Sequence, residues 1–395
     1  MKTQGAAVAA PLHWSDTWLA WRDRLLASPR FRRWAEGFPP ARWIARRRAG
    51  QLFDLLAGFV YSQVLLACVR LGLFERLGRD GPQSLAALSA VLPLPEPALD
   101  RLLQAACALR LLERRRQGRY GLGPLGAPLV GNAGLAAMVE HHEALYRDLV
   151  DPLALLRAAP GQGAGGALSG FWPYARAADP AALDAQQVAG YSQLMASSVP
   201  WVAEQLLQAY PVHRHQRLLD VGGGEGALAA CLARAVPGLQ VQVFDLSEVA
   251  RRAEARFARE GLAGRCSASG GNFLRDALPS GFDAISLVRV LHDHDDAAVL
   301  RLLAAVRVAL PAGGRLLIAE PLADAPGAPA MGAAYFGLYL WAMGSGRART
   351  VAQLRDLLER SGFTDVQARP TPMPLHSGVL VATTGVLATP SVNLN

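Results

Sequence analysis

The stretch LLDVGGGEG, from Leu218 to Gly226, places a glycine-rich turn directly after an apolar strand and before an apolar helical segment. Glycine suits this turn because a side chain would block both the tight bend and the close approach of a ligand to the backbone. Beyond Tyr210 the chain alternates apolar strands with helical stretches, and the strands are RLLDV, LQVQVFD, FDAISLV, GRLLIAEP and GVLVATT. This alternation predicts an α/β domain of the Rossmann-like type, with a parallel sheet covered on both faces.

The second of these strands ends at Asp245, at the usual separation from the turn for a carboxylate that accepts hydrogen bonds from ribose hydroxyls. A cofactor that contains a nucleoside is therefore expected. A dinucleotide fingerprint GxGxxG counted from Gly222 needs a third glycine where this chain has Ala227. The turn, with Asp220 just upstream, instead resembles that of methyltransferases, which indicates S-adenosylmethionine.

The length of 395 residues favours two domains with room for a sizeable core. Hydrophobic residues make up 51% and charged residues 18%, which excludes a largely disordered chain. The four cysteines are scattered without a CxxC pair, so we interpret them as buried thiols in a reducing compartment. This pattern disfavours a disulfide framework or a zinc ribbon and predicts a cytoplasmic protein.

The first predicted segment, residues 1–48, is a basic extension rich in tryptophan. Residues 1–50 carry ten Lys and Arg against three Asp and Glu, a net charge of +7. Five of the eight tryptophans lie there, namely Trp14, Trp18, Trp21, Trp34 and Trp43. Interleaved arginine and indole suit a lipid headgroup surface, so one interpretation is peripheral contact with the inner membrane. An arm that packs on a partner subunit is an equal alternative.

The second predicted segment covers residues 49–205. Its apolar run from Leu52 to Val69 contains Asp54, Ser62 and Gln63, so we expect a buried interfacial helix rather than a membrane span. Two further helical stretches and a hairpin around residues 117–118 follow, which is a winged-helix pattern. Nucleic acid is not an expected partner, because residues 51–205 hold 12 basic against 13 acidic side chains, a poor match to a polyanion.

Six motifs in order resemble the S-adenosylmethionine-dependent O-methyltransferases related to the plant caffeate and acetylserotonin enzymes. They are LLDVGGGEG, VFDLS, GGNF at Gly270–Phe273, RVLHDHDD at Arg289–Asp296, LLIAEP at Leu316–Pro321 and GRART at Gly346–Thr350. The segments FRRW, IARRRA and SLVRVLHDHDD more closely resemble bacterial carotenoid hydroxyneurosporene (demethylspheroidene) O-methyltransferases.

The resemblance implies a class I methyltransferase domain over residues 206–395, preceded by a mostly helical winged-helix domain that forms a homodimer and binds substrate. It further implies methylation of a hydroxyl on an apolar substrate, a hydroxycarotenoid of spheroidene-type carotenoid biosynthesis. Two alternatives are retained. One is methylation of a phenol or hydroxyindole, and the other is a non-catalytic winged-helix regulator that senses S-adenosylmethionine.

The resemblance also assigns the cofactor residues one by one. The turn residues Asp220, Gly222, Gly223, Gly224 and Gly226 lie on the methionine side, Asp245 holds the ribose, and Asn272 and Phe273 lie by the adenine. The family usually has Asp where Asn272 stands, although an amide can still hydrogen-bond the adenine. A family lysine falls on Val288, and whether Arg289 takes over its contact with the cofactor stays open.

His292 follows the apolar strand SLVRVL, at the sheet edge where ligands bind in open α/β folds. In the resembled family this histidine is the general base, a role that suits its pKa. Glu320, at the end of LLIAEP, occupies the position of the carboxylate that orients the histidine. The family's second acid is Ala348 here, so the histidine is expected to be oriented either more loosely or for a different hydroxyl. The family tryptophan two residues after the histidine is His294, which also departs from the pattern.

The sequence HDHDD has a second interpretation, because HxHxD also begins some metal sites. The further histidine of that pattern is replaced by Ala297, so no metal is expected, and Asp293 to Asp296 are interpreted as mainly structural. The paired His141 and His142 are interpreted as polar surface, with contact to the substrate as the alternative. The stretch Tyr335–Gly344 either lines an apolar tunnel or packs as an ordinary helix.

Overall fold

The structure, a computed structural model, describes residues 14–158, 166–171, 185–327, 330–374 and 377–385. The chain divides into two units, Met1–Val130 and Gly131–Asn395. In the first unit the described helices are α1 (Trp14–Ala27), α2 (Pro29–Gly37), α3 (Pro39–Arg70), α4 (Leu73–Asp80), α5 (Leu85–Ser89) and α6 (Glu96–Ala108), and its strands are β1 (Leu112–Arg114) and β2 (Tyr120–Leu122).

Local sequence sets the boundaries of these helices. Proline occupies the first turns of α2 and α3, where its missing N–H costs nothing. Gly72 adopts a left-handed conformation, with φ of 61°, between α3 and α4. One face of α6 is apolar, with Leu99 and Leu103 fully buried. The strands β1 and β2 pair antiparallel around the predicted turn at residues 117–118.

The second unit begins with the helices α7 (Ala133–Asp148), α8 (Pro152–Arg157), α9 (Ala167–Phe171) and α10 (Ala185–Ala209). Strands and helices then alternate as β3 (Arg217–Val221), α11 (Ala227–Ala235), β4 (Gln240–Asp245), α12 (Ser247–Arg259), β5 (Cys266–Gly270), β6 (Ala284–Val288), α13 (Asp296–Ala309) and β7 (Arg315–Glu320). A π-helix (Ala330–Tyr335), α14 (Phe336–Met343), α15 (Val351–Arg360), β8 (Phe363–Arg369) and β9 (Gly378–Thr384) follow.

The strands of this unit form a seven-stranded sheet of order β5-β4-β3-β6-β7-β9-β8. The strands β3 to β7 are parallel, and buried apolar residues cover both of their faces, as predicted. A fully parallel sheet was the wrong prediction for the last strand, because β9 runs antiparallel to both β7 and β8. The connection from β8 to β9 is too short for the crossover that parallel pairing requires.

The predicted boundaries at residues 48 and 205 divide the chain by function, which the compact units do not test. The helix α3 runs without a break through residue 48, and the two units separate after Val130 rather than after residue 205. The helices α7 to α10 belong to the same compact unit as the sheet, and α10 packs on α11. The division into an extension, a dimerisation segment and a catalytic segment therefore remains a prediction about function.

Within the described residues, α3 is a helix long and apolar enough to cross a membrane, judged by length and composition alone. Its C-terminal part is buried at Leu66 and Cys68, whereas the apolar side chains from Leu52 to Val60 are largely exposed in the single chain. For this first half the buried interfacial helix stays a prediction, because an interface needs a second surface that one chain does not supply. Cys68 and Cys266 are buried as predicted, while Cys107 and Cys231 are half-buried.

Candidate functional site

The glycine-rich turn after β3 has the backbone shape that its sequence predicts. Gly222, Gly224 and Gly226 adopt φ values of 70°, 58° and 75°, a region that glycine enters without strain. A Cβ built on Gly226 would lie 2.4 Å from Cζ of Phe257, so this glycine is required by packing. No heavy atom of the described residues lies within 4 Å of a Cβ built on Gly224. The turn therefore presents an open cradle at Gly224.

Asp220 lies beneath this cradle and is fully buried. Its Oδ1 accepts a hydrogen bond of 2.6 Å from the Ser286 hydroxyl. Its Oδ2 has no hydrogen-bond partner among the described residues, and a Cβ on Gly223 would lie 2.4 Å from it. Burial raises the pKa of Asp220 to about 7. Because buried acceptors are normally hydrogen-bonded, Oδ2 of Asp220 is a position where a ligand can supply the missing donor.

Asp245 closes the other side of the cradle, at the end of β4. Its carboxylate accepts hydrogen bonds from the backbone N–H of Gly224 at 2.8 Å and of Leu246 at 2.7 Å. Burial raises its pKa to about 6, which these two bonds partly oppose. Each carboxylate oxygen keeps a further lone pair, so the pair of ribose hydroxyls predicted for this position can still be accommodated.

Asn272 and Phe273 follow β5 and lie at the same sheet edge. The Asn272 side-chain oxygen accepts a hydrogen bond of 3.0 Å from the Leu274 backbone N–H, so the amide nitrogen is the group suited to an adenine contact. A Cβ on Gly222 would lie 3.7 Å from the Phe273 ring, which places this ring beside the turn. The ring also meets His294 edge-on, with centroids 5.5 Å apart.

The predicted catalytic pair is brought together by two neighbouring parallel strands. His292 lies in a single 3₁₀ turn just after β6, and Glu320 is the last residue of β7. Oε2 of Glu320 lies 2.5 Å from Nδ1 of His292. Oε1 of Glu320 accepts hydrogen bonds from the N–H groups of Val290 at 2.9 Å and Leu291 at 2.7 Å. Backbone N–H groups therefore anchor the Glu320 carboxylate independently of its contact with the imidazole.

Residues 171–364 match the O-methyltransferase domain, and residues 53–132 match the O-methyltransferase dimerisation domain. The chain is 43% identical to demethylspheroidene O-methyltransferase of Cereibacter sphaeroides, over 91% of this chain and 93% of the relative.

The chain belongs to the O-methyltransferase family. The corresponding enzyme of Rhodobacter capsulatus is 40% identical over 92% of this chain and 89% of the relative. Human N-acetylserotonin methyltransferase, solved in complex with S-adenosylmethionine, superposes with a TM-score of 0.71 and 25% identity over 86% of this chain and 98% of that structure. This chain is thus an O-methyltransferase that uses S-adenosylmethionine, and its dimerisation domain supports a homodimer.

The residues around the turn fit this cofactor. The open cradle at Gly224 gives room for the methionine portion, and the unpartnered Oδ2 of Asp220 would accept a hydrogen bond from its ammonium group. Asp245 offers acceptors for ribose hydroxyls on the same side. The guanidinium of Arg289, by contrast, donates to Oγ of Ser198 at 2.6 Å and contacts Sδ of Met195 at 2.9 Å, which directs it toward α10. A contact between Arg289 and the cofactor stays a prediction.

Asp293, interpreted from the sequence as mainly structural, lies beside the imidazole of His292. The Asp293 side chain is buried, and its Oδ1 lies 3.1 Å from Nε2 of His292. This oxygen has no hydrogen-bond partner in the described part of the chain. Burial raises the pKa of Asp293 to about 7. Burial alone lowers the pKa of His292, but Asp293 and Glu320 together outweigh this and raise it. The sequence signal for this contact was the position of Asp293 directly after His292.

The other acids of HDHDD have the structural roles that were predicted. Asp295 caps α13 by accepting a 2.7 Å hydrogen bond from the Ala298 N–H. Asp296 accepts two hydrogen bonds from Arg349, a buried residue of the GRART motif. Arg349 also donates to the carbonyls of Leu291 at 2.6 Å and His294 at 2.8 Å. It thereby fixes both ends of the turn that carries His292, which no motif spacing had indicated. Within the described residues, no cluster of metal-binding side chains is present.

An aromatic cluster adjoins His292. The Phe336 ring lies edge-on to the imidazole, with centroids 6.4 Å apart, and it packs on Tyr335 at 5.0 Å. Tyr335 shares a 2.8 Å hydrogen bond with His142, and Tyr339 a 2.9 Å hydrogen bond with His141. The interpretation of these histidines as polar surface is therefore wrong, because α7 uses them to hold α14 and the π-helix. Burial lowers the pKa of His141 to about 4, so this imidazole stays neutral near pH 7.

Proposed function

We propose that this methyltransferase transfers a methyl group to the hydroxyl of a hydroxycarotenoid in spheroidene-type carotenoid biosynthesis. The proposal is supported by the 43% and 40% identity to two demethylspheroidene O-methyltransferases over nine tenths of the chain. The observation that carries the chemistry is the contact of 2.5 Å between Nδ1 of His292 and the anchored Glu320 carboxylate.

Bound S-adenosylmethionine supplies an electrophilic methyl group on a sulfonium centre. The chain must then align the acceptor oxygen with that methyl and remove one proton as the new C–O bond forms. His292 is placed to take this proton on Nε2, since Glu320 keeps the ring hydrogen on Nδ1. The hydroxyl of a hydroxycarotenoid is a much weaker acid than a phenol, so it depends on this base more strongly.

Asp293 assists the same step in this proposal. Its buried carboxyl group lies next to the nitrogen that receives the proton. A negative charge there favours the protonated imidazole that forms as the methyl is transferred. Glu320 supports the same charge from the opposite ring nitrogen. The base therefore gains affinity for the proton while it remains buried.

The aromatic cluster supports an apolar acceptor. Phe336 lies against the imidazole, and buried Leu340 and Met343 continue the same apolar wall along α14. The histidine and tyrosine polar groups are hydrogen-bonded to one another within it. A polyene chain needs such a wall because it offers dispersion contacts and no hydrogen bonds.

The location proposed for the enzyme is cytoplasmic, with peripheral contact to the inner membrane through residues 1–48. The net charge of +7 in residues 1–50 favours an anionic surface, and a membrane is where a long polyene acceptor is dissolved. The described helices α1 and α2 carry the exposed tryptophans expected of such contact.

The test is to incubate the purified protein with methyl-labelled S-adenosylmethionine and, separately, a hydroxycarotenoid in detergent micelles, a panel of phenols and a panel of hydroxyindoles. We expect label to appear on the hydroxycarotenoid, and the same assay with His292→Ala serves as the control for transfer by the site. Label on phenols or hydroxyindoles alone would replace the proposed acceptor. Cofactor binding without transfer to any hydroxyl would instead favour a regulator.

A further inference from the structure

The helix α1 carries three tryptophans on one face. Trp14, Trp18 and Trp21 follow the spacing i, i+4, i+7, which at 100° per residue places them within about 60° of one another around the helix axis. Their exposed fractions are 77%, 55% and 57%. We call this surface of α1, formed by the three indoles, the Trp face. Exposure of three such large rings side by side marks an interaction surface.

Charges are arranged around the Trp face by sign. Arg22 and Arg24 flank it on opposite sides of the helix, and Asp16 and Asp23 lie on the far side, by the same helical geometry. The Arg22 guanidinium lies 5.9 Å from the Trp18 ring centroid, and it also pairs with Asp23. An apolar aromatic stripe with basic flanks and an acidic rear is the pattern of a helix that lies in a membrane interface.

The same chemistry continues into the next two helices. Trp34 and Phe38 stack with centroids 4.9 Å apart and are each about half exposed. Trp43, at the start of α3, is 66% exposed, and the guanidinium of Arg47 lies 5.7 Å from its ring. Paired indole and guanidinium groups thus recur on α1 and α3.

The exposed apolar residues of α3 differ in composition and location. Leu52, Phe53, Leu55, Leu56 and Phe59 form an apolar patch without tryptophan or arginine, at the start of the part that matches the dimerisation domain, residues 53–132. A second copy of the chain is the natural cover for that patch. The Trp face lies outside the matched residues. A second copy also carries a net charge of +8, so it offers no complement to the arginines of α1, whereas an anionic lipid surface does.

We propose that the Trp face of α1 docks on an anionic lipid bilayer, with the helix lying in the plane of the interface. The indoles of Trp14, Trp18 and Trp21 sit at headgroup depth, where aromatic rings with one polar N–H are favoured. Arg22 and Arg24 lie beside lipid phosphates. This inference rests on the proposed peripheral membrane contact and assigns it to one helix face.

The experiment measures binding of the full-length protein to vesicles of phosphatidylcholine with and without phosphatidylglycerol. The variant Trp14→Ala/Trp18→Ala/Trp21→Ala should lower the affinity for anionic vesicles by at least about tenfold, through loss of the buried aromatic area. The matched control is Leu19→Ala/Leu26→Ala on the other half of the same helix, where each residue is 36% exposed, and it should bind nearly as the parent does. Arg22→Gln/Arg24→Gln should weaken binding mainly at low salt.

The outcomes separate the two proposals. If the parent protein does not bind anionic vesicles at low salt, the peripheral membrane contact is wrong. If the parent binds and the triple tryptophan variant binds equally well, contact exists but the Trp face does not mediate it. If the triple variant dissociates into monomers in sedimentation velocity, α1 is a subunit arm and the lipid assignment is overturned. Circular dichroism and unchanged transfer to a detergent-dispersed acceptor verify that the variants are folded.

Discussion

Nε2 of His292 lies 3.1 Å from Oδ1 of Asp293, while Nδ1 of the same ring lies 2.5 Å from Oε2 of Glu320. The imidazole is therefore held between two buried carboxyl groups, which together raise its pKa against the opposing effect of burial. In the proposed mechanism the neutral imidazole is the base, so the rate should rise with pH through a value above the ordinary 6.5.

Asp293→Asn should move that acidic limb of the pH–rate profile to lower pH. The substitution removes a negative charge next to Nε2, so the protonated imidazole loses stabilisation and the pKa of His292 falls. The measurement is kcat against pH, with Asp295→Asn as the control, since Asp295 caps α13. An unshifted limb in Asp293→Asn would mean that Asp293 has no influence on the base.

His292→Ala should lower kcat by about 10²- to 10⁴-fold, the usual contribution of a positioned base. Glu320→Gln should lower it by at least about 10²-fold, because an amide N–H facing Nδ1 forces the ring hydrogen onto Nε2. Calorimetry should find S-adenosylmethionine affinity nearly unchanged in both variants. Near-normal turnover in either would show that alignment alone drives the transfer.

Gly224→Ala and Gly226→Ala form a matched pair, because both residues have positive φ and share the same backbone strain. Alanine at 224 enters the open cradle, so S-adenosylmethionine affinity should fall with only the strain cost in stability. Alanine at 226 collides with Phe257 and should cost about 1–3 kcal/mol more in unfolding free energy. Thermal melts measure the stability of both variants, and calorimetry measures their affinity for S-adenosylmethionine. Unchanged affinity in Gly224→Ala would contradict the assignment of the cradle at Gly224 to the cofactor.

Asp220→Asn should stabilise the cofactor-free protein above neutral pH. The pKa of Asp220 rises from 3.8 to about 7 on folding, so the folded state binds its proton more tightly and the unfolding free energy falls as pH increases from about 4 to 7. Asparagine removes the charge and keeps an acceptor for Ser286. The Tm of the variant should exceed that of the parent at pH 8, with the difference vanishing near pH 4. If the Tm values of variant and parent differ by the same amount at every pH in this range, the raised pKa of Asp220 is wrong.

Arg349→Lys should lower kcat by about 10- to 100-fold, because lysine cannot reach Asp296 and the carbonyls of Leu291 and His294 together, and the turn carrying His292 shifts. The control is Arg347→Lys, an exposed partner of Asp296 that touches neither carbonyl. Steady-state kinetics should show a loss in kcat with little change in KM for S-adenosylmethionine. Equal losses of kcat in the two variants would show that Arg349 does not position the turn that carries His292.

Much of the fold was predictable from local sequence, because the signals were short-range. The glycine turn at residues 222–226 specified its own backbone, and apolar strands such as RLLDV revealed the parallel core of the sheet. The antiparallel placement of β9 escaped prediction, since its sequence is as apolar as that of a parallel strand. Pairing direction depends on the connection from β8 and not on the strand itself.

The candidate base and its carboxylate were predictable because each ends an apolar strand, and adjacent parallel strands end at one edge of a sheet. The contacts of Asp293, Arg349 and the histidines of α7 were decided only by the tertiary structure. Each depends on a side chain meeting atoms remote in sequence or on the orientation of a buried turn. The sequence by itself thus determined the chemical groups present, whereas packing determined their charge states and partners, because desolvation and hydrogen bonding exist only once the chain has folded.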